Sequence, residues 1–93
     1  GATMLEVNSY SRFIIKLLVR NLSRSTTEQD IRVLFSEFGS VKACNLVLDQ
    51  ETGYSKGFAF VEMPEQEEAK TALDKLHMTK LGKNTIRVKV ANS

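Results

Sequence analysis

The chain of 93 residues is poor in the groups that most catalytic and metal sites are built from, with one cysteine, one histidine, one proline and no tryptophan. A lone Cys44 excludes an internal disulfide and a cysteine-paired metal site, so the chain reads as intracellular, with Cys44 expected as a small buried apolar side chain. With His77 the only histidine and far from Cys44 in the chain, no nucleophile-and-base pair suggests itself, and neither a metal nor a cofactor is expected. Long hydrophobic runs are missing too. "FII" and "LLV" are split by Lys16 and fall far short of the ~20 residues of a membrane span. Residues 1–12 lack the basic start and apolar stretch of a secretory signal. The compartment expected is intracellular, the cytoplasm if the source is bacterial, with a nucleus not excluded.

What is present suits one small folded domain. Hydrophobic residues make up 42% of the chain and charged residues 26%, too apolar a balance for disorder. A chain of this size buries roughly 60 to 65% of its unfolded surface, enough for one two-layer core. Gly1-Ala2-Thr3 ahead of Met4 reads as an expression remnant, and residues 1–12 as a polar, flexible arm before a domain at 13–91.

Along the domain the hydrophobic period switches between two and 3.6. Phe13 to Val19 reads as a strand. "TEQDIRVLFSEFG" reads as a helix, with Thr27 and Asp30 at capping-box spacing, Ile31, Leu34, Phe35 and Phe38 on one face, and Gly39 as its end. Val41 to Asp49 and Lys56 to Met63 read as a long-looped hairpin around "QETGYS". Pro64 is expected to open a second helix, with Ala69, Ala72, Leu73 and Leu76 as its apolar stripe. Thr85 to Val90 alternates as the last strand. The order βαββαβ, with right-handed crossovers, predicts an α+β ferredoxin-like sandwich: a four-stranded antiparallel sheet with both helices on one face.

That arrangement leaves the other sheet face open. Strand alternation puts Gly57, Ala59, Val61 and Met63 on one side and Lys56, Phe58, Phe60 and Glu62 on the other. Lys56 and Glu62 could not be buried unpaired without cost, so their side faces outward and carries the two phenylalanines with it. Either a terminal arm or loop covers these rings, or they form a platform on which unpaired bases stack while nearby cations hold phosphates. Net charge is only +2, but its distribution is uneven. The helices are acidic, with Glu28, Asp30, Glu65 and Glu67 among their anions, whereas the strands and their approaches carry an excess of lysine and arginine that would orient a polyanion toward the sheet.

Over residues 13–91 the chain resembles the RNA recognition motif family. "KGFAFVEM" is similar to the family's eight-residue signature on the third strand, and "LLVRNL" to its six-residue signature on the first. The methionine that closes the longer signature, Met63, together with the compact loops, resembles short single-motif RNA-binding proteins of bacteria and plants. The resemblance implies RNA contact by Phe58 and Phe60 at the two aromatic positions and phosphate contact by Lys56. Leu18 stands where the family usually has an aromatic ring, a departure that weakens the expected stacking on the first strand. By alternation Lys16 and Arg20, Asn45 and Val47, and Arg87 and Lys89 share the open face. Arg87 and Lys89 are assigned to phosphates, and Asn45 with the chain near Ala91-Asn92 to base edges. The partner implied is single-stranded RNA bound by a monomer away from any membrane.

Three other readings compete. Single-stranded DNA fits the same platform, because stacking does not sense the 2′-hydroxyl. The βαββαβ architecture also supports acylphosphatases, but these need an anion-cradling loop after the first strand, and "NLSRSTTEQ" has no glycine. Some members of the family are protein-interaction modules, typically when the platform aromatics are missing; here two of three are present.

Overall fold

A computed structural model describes residues 14–91. The expected arm over 1–12, together with Phe13 and Asn92, lies outside the described residues. The elements in chain order are β1 (Ile15–Arg20), α1 (Glu28–Ser36), β2 (Ala43–Leu48), β3 (Ser55–Met63), α2 (Gln66–Leu76), β4 (Thr79–Leu81) and β5 (Asn84–Val90). The strands form one antiparallel sheet in the order β2-β3-β1-β5-β4.

The core lies between this sheet and the two helices. Leu17 and Val19 of β1, Ala59, Val61 and Met63 of β3, and Ile86 and Val88 of β5 are buried against Ile31 and Phe35 of α1 and Ala69, Ala72 and Leu76 of α2. These are alternate residues on each strand and residues three to four apart on each helix, the two periods expected of amphipathic elements. Cys44 is buried among them, as expected. Leu34 and Leu73, expected in the centre, pack against the core only partly buried, because each sits at the edge of its helix's apolar stripe.

Helix α1 starts as its sequence dictates. The Thr27 hydroxyl accepts from the Asp30 N–H at 3.1 Å, and the Asp30 carboxylate accepts from the Thr27 N–H at 3.0 Å, completing the capping box. The helix stops at Ser36, three residues before Gly39. Gly39 instead serves a close approach, because a Cβ there would collide with the Glu68 side chain, whose Oε1 accepts the Ser40 N–H at 3.0 Å. Helix α2 begins at Gln66, two residues after Pro64, with an extended Glu65 as its N-cap.

The sheet has five strands where four were expected. The extra strand β4 pairs with the first half of β5 through Thr79↔Ile86, Lys80↔Thr85 and Leu81↔Asn84. The hairpin turns on Gly82 at φ 67° followed by Lys83, the pattern of a type II′ connection. The link before β4 prolongs the ladder along β5: the Met78 N–H donates to the Ile86 carbonyl at 2.8 Å and the Val88 N–H donates to Nδ1 of His77 at 3.0 Å. His77 is the C-cap of α2, and its ring ties that end of the helix to β5 through this bond.

Candidate nucleic-acid interface

The helices cover one sheet face, and the second half of β5, β1, β3 and β2 present the other. Cross-strand register builds that face row by row. Phe60 lies opposite Leu18 on β1 and Asn45 on β2, and Leu18 lies opposite Lys89 on β5, so Asn45, Phe60, Leu18 and Lys89 form one row across four strands. Phe60 and Leu18 are partly exposed, and Asn45 and Lys89 are exposed. A neighbouring row pairs Lys16 with Glu62, and on the other side Arg20 lies opposite Arg87. All are reached by every second residue of their strands, which is why the face could be read from sequence.

The two phenylalanines contact each other edge to face, with centroids 6.1 Å apart and planes at 89°. That geometry is the favourable one for two ring quadrupoles and leaves the rings differently oriented toward a ligand. The Lys16 ammonium lies 4.8 Å from the Phe60 centroid, within cation–π range. Phe58 and Phe60 are partly rather than fully exposed, since each supports the other and neighbouring side chains flank them.

Lys56 is displaced from the rows. Between Leu46↔Ala59 and Leu48↔Ser55, β3 advances four positions while β2 advances two, so β3 bulges over the residues around Gly57. Gly57 has φ 88°, a conformation suited to glycine, and its carbonyl accepts the Leu22 N–H at 2.9 Å. The extra residues are even in number, so Phe58 and Phe60 keep their face, while Lys56 moves to the sheet's end. There it lines an open cleft of about 790 Å³ with Phe58 and Arg20, and with three residues the sequence reading passed over, Asn21, Arg24 and Tyr54. Arg20 and Asn21 also line a second cavity, of about 310 Å³, with Arg87. The overlooked residues belong to the β1–α1 and β2–β3 loops, which have no periodicity to mark a face. The signal available was an arginine and a tyrosine within a few residues of the platform strands.

The Cys44 thiol is pushed above its usual pKa by burial and by the nearby Glu28 carboxylate, against a smaller opposing effect of Arg32, which makes it a poor nucleophile. Its Sγ lies 3.6 Å from the Glu28 carbonyl. Among the described residues no group of three or more histidine, cysteine, aspartate or glutamate side chains is placed to hold a metal, and no helix is long and apolar enough to cross a membrane.

The family model for the RNA recognition motif matches residues 17–87. The chain is 45% identical over 62 residues to RbpF of Nostoc sp., named as an RNA-binding protein, covering 67% of this chain and 59% of that one. Its relatives include a plant glycine-rich RNA-binding protein as well. Among solved structures, the RNA-binding protein PG1 superposes with a TM-score of 0.82 at 32% identity, over 85% of this chain and 95% of that one. The Sxl-lethal protein/RNA complex does so with a TM-score of 0.76 at 32% identity, over 82% of this chain and 47% of that one. The chain spans from 25% to 60% of the length of curated relatives it matches. With both signature strands side by side in the sheet and the match running from β1 into β5, the chain belongs to the RNA recognition motif family.

Proposed function

We propose that the chain binds single-stranded RNA on its open sheet face, without catalysis. The observation that carries this reading is the row Asn45, Phe60, Leu18 and Lys89 on the sheet face away from the helices, with Phe58 set against Phe60. Phe58 and Phe60 offer two π-faces for bases, at about 1–3 kcal/mol per stacked base. Leu18 supplies apolar contact without a ring, and Asn45 has the donor and acceptor of an amide for a base edge. Lys16, Arg20, Lys56, Arg87 and Lys89 surround the rings and neutralise phosphates.

Family membership and the likeness to an RNA complex support an RNA ligand; RNA in preference to DNA, and action as a monomer, are part of the proposal. The test is a titration with single-stranded RNA and DNA of the same sequence over a salt series. RNA binding should weaken with salt at a slope of about −0.7 per phosphate neutralised. Binding indifferent to salt and to Phe58→Ala and Phe60→Ala would refute the reading. Salt-insensitive capture of a protein partner by the same face would favour an interaction module instead.

A further inference from the structure

The apolar stripe that faces the helices runs out of cover at one end of the sheet. On β5 the stripe reads Ile86, Val88 and Val90, and their exposures are 0%, 2% and 44%. On β1 it reads Val19, Leu17 and Ile15, the first two fully buried and the last only half-buried. The two strands stay paired to this end, since Leu17 lies opposite Val90 and the Ala91 N–H donates to the Lys16 carbonyl at 2.7 Å. The cover from helix α2 is what falls short.

An apolar groove of about 190 Å³ results, with Ile15, Leu17 and Val90 as its strand wall and Ala69 and Leu73 on its helix wall. Ala69 contributes only a methyl group, and Leu73, one turn further along α2, stays partly exposed. An apolar cavity of about 150 Å³ takes a benzene ring, so this groove has room for one phenyl side chain. The chain carries one within reach. Phe13 stands two residues before Ile15, about 7 Å away along an extended chain, and shares the parity of Ile15, Leu17 and Val19, the helix-facing side of β1. On so short a tether its ring has an effective concentration that any separate molecule must outcompete.

We propose that the groove is the docking site for the segment that leads into β1, with the Phe13 ring seated between Ile15 and Val90 on the sheet and Leu73 on α2. The ring completes the core stripe where α2 falls short. A segment anchored there starts out on the helix side, away from Phe58 and Phe60 on the opposite face. The contact holds whatever ligand the open face takes, so it stands or falls independently of RNA binding.

The experiment compares the full chain with its Phe13→Ala and Phe13→Leu variants by thermal melts and by methyl NMR of Ile15, Leu73 and Val90. In the wild type, the Phe13 ring protons should give nuclear Overhauser contacts to these methyl groups. Phe13→Ala should move the methyl resonances and lower Tm by about 4 °C or more. Phe13→Leu refills the groove without a ring current, so it should move the same resonances yet keep most of the Tm. Lack of the contacts in the wild type, or unchanged Tm and methyl positions in Phe13→Ala, would overturn the docking. A fall in Tm without those contacts would show that Phe13 packs elsewhere, and contacts to Phe58 or Phe60 would put the segment on the open face; either outcome overturns the assignment. Groove resonances that shift on dilution of the protein would give the groove to a second copy of the chain, against the proposal.

Discussion

The Lys16 ammonium sits 4.8 Å from the centre of the Phe60 ring, so in the free protein a cation lies over a ring assigned to a base. A base stacking on that side of Phe60 has to displace the ammonium, which can then pair with a phosphate. The contact favours the free protein by about 0.5–1 kcal/mol, so a base taking that side of the ring would have to offset this amount, in part through a phosphate contact to the released ammonium.

The rings and the core should separate in experiment. Phe58→Ala and Phe60→Ala are each expected to weaken RNA binding by about 1–3 kcal/mol with little change in Tm. Phe35, fully buried between α1 and the sheet, is the contrast, and Phe35→Ala should cost about 3–5 kcal/mol of stability. Parallel melts and RNA titrations of the three variants check this. A collapse of Tm in the Phe58 or Phe60 variant with affinity retained would show that those rings serve packing.

Leu18 lies between Phe60 and Lys89 in the central row. It contributes apolar area but no π-face, so Leu18→Phe should raise affinity for single-stranded RNA by up to about 1–3 kcal/mol while leaving the salt slope unchanged. Titration of both proteins with one oligonucleotide measures the gain. No gain would place Leu18 outside the RNA path.

Arg20 and Arg87 are direct cross-strand partners, both exposed on the open face. Like charges opposite one another destabilise a strand pair by roughly 0.2–1 kcal/mol, and a bound phosphate would relieve the repulsion. Arg87→Gln is therefore expected to raise Tm slightly in the free protein and at low salt above all, yet to weaken RNA binding. Denaturation and binding of the variant at two salt concentrations provide the check, and a fall in both stability and affinity would contradict the account.

Asp49 gives the pH dependence. Hydrogen bonds from the Thr52 and Glu51 N–H groups, with a smaller contribution from Lys56, hold its carboxyl below the ordinary value of 3.8. A carboxyl whose folded pKa is depressed lends stability that is present above its unfolded pKa and lost as pH falls through the folded one. The β2–β3 loop should thus stay ordered at neutral pH and loosen only below 3.8. The Glu51 and Thr52 amide resonances should titrate with a midpoint below that value. Asp49→Asn should abolish that titration.

Six of the seven elements and their order, the capped start of α1 and the side of each platform strand that faces outward were legible in the sequence. These follow from local rules, since a period of two or 3.6 and a Thr27–Asp30 box act within a few residues of chain. Phe58 and Phe60 were legible for that reason, as were Lys16, Arg20, Arg87 and Lys89 by alternation. Tertiary structure alone decided which residues become neighbours across strands: Phe60 beside Leu18 and Asn45, Arg20 against Arg87, Lys16 over Phe60. It also decided what short segments do. Thr79–Leu81 is too brief to display an alternation and becomes a strand only because β5 offers it an edge. Lys56 follows strand parity yet leaves the rows, because the bulge at Gly57 depends on how β3 fits β2. Arg24 and Tyr54 lie thirty residues apart in loops without a period, and they line one cleft only because the pairing of β1 with β3 sets their loops side by side.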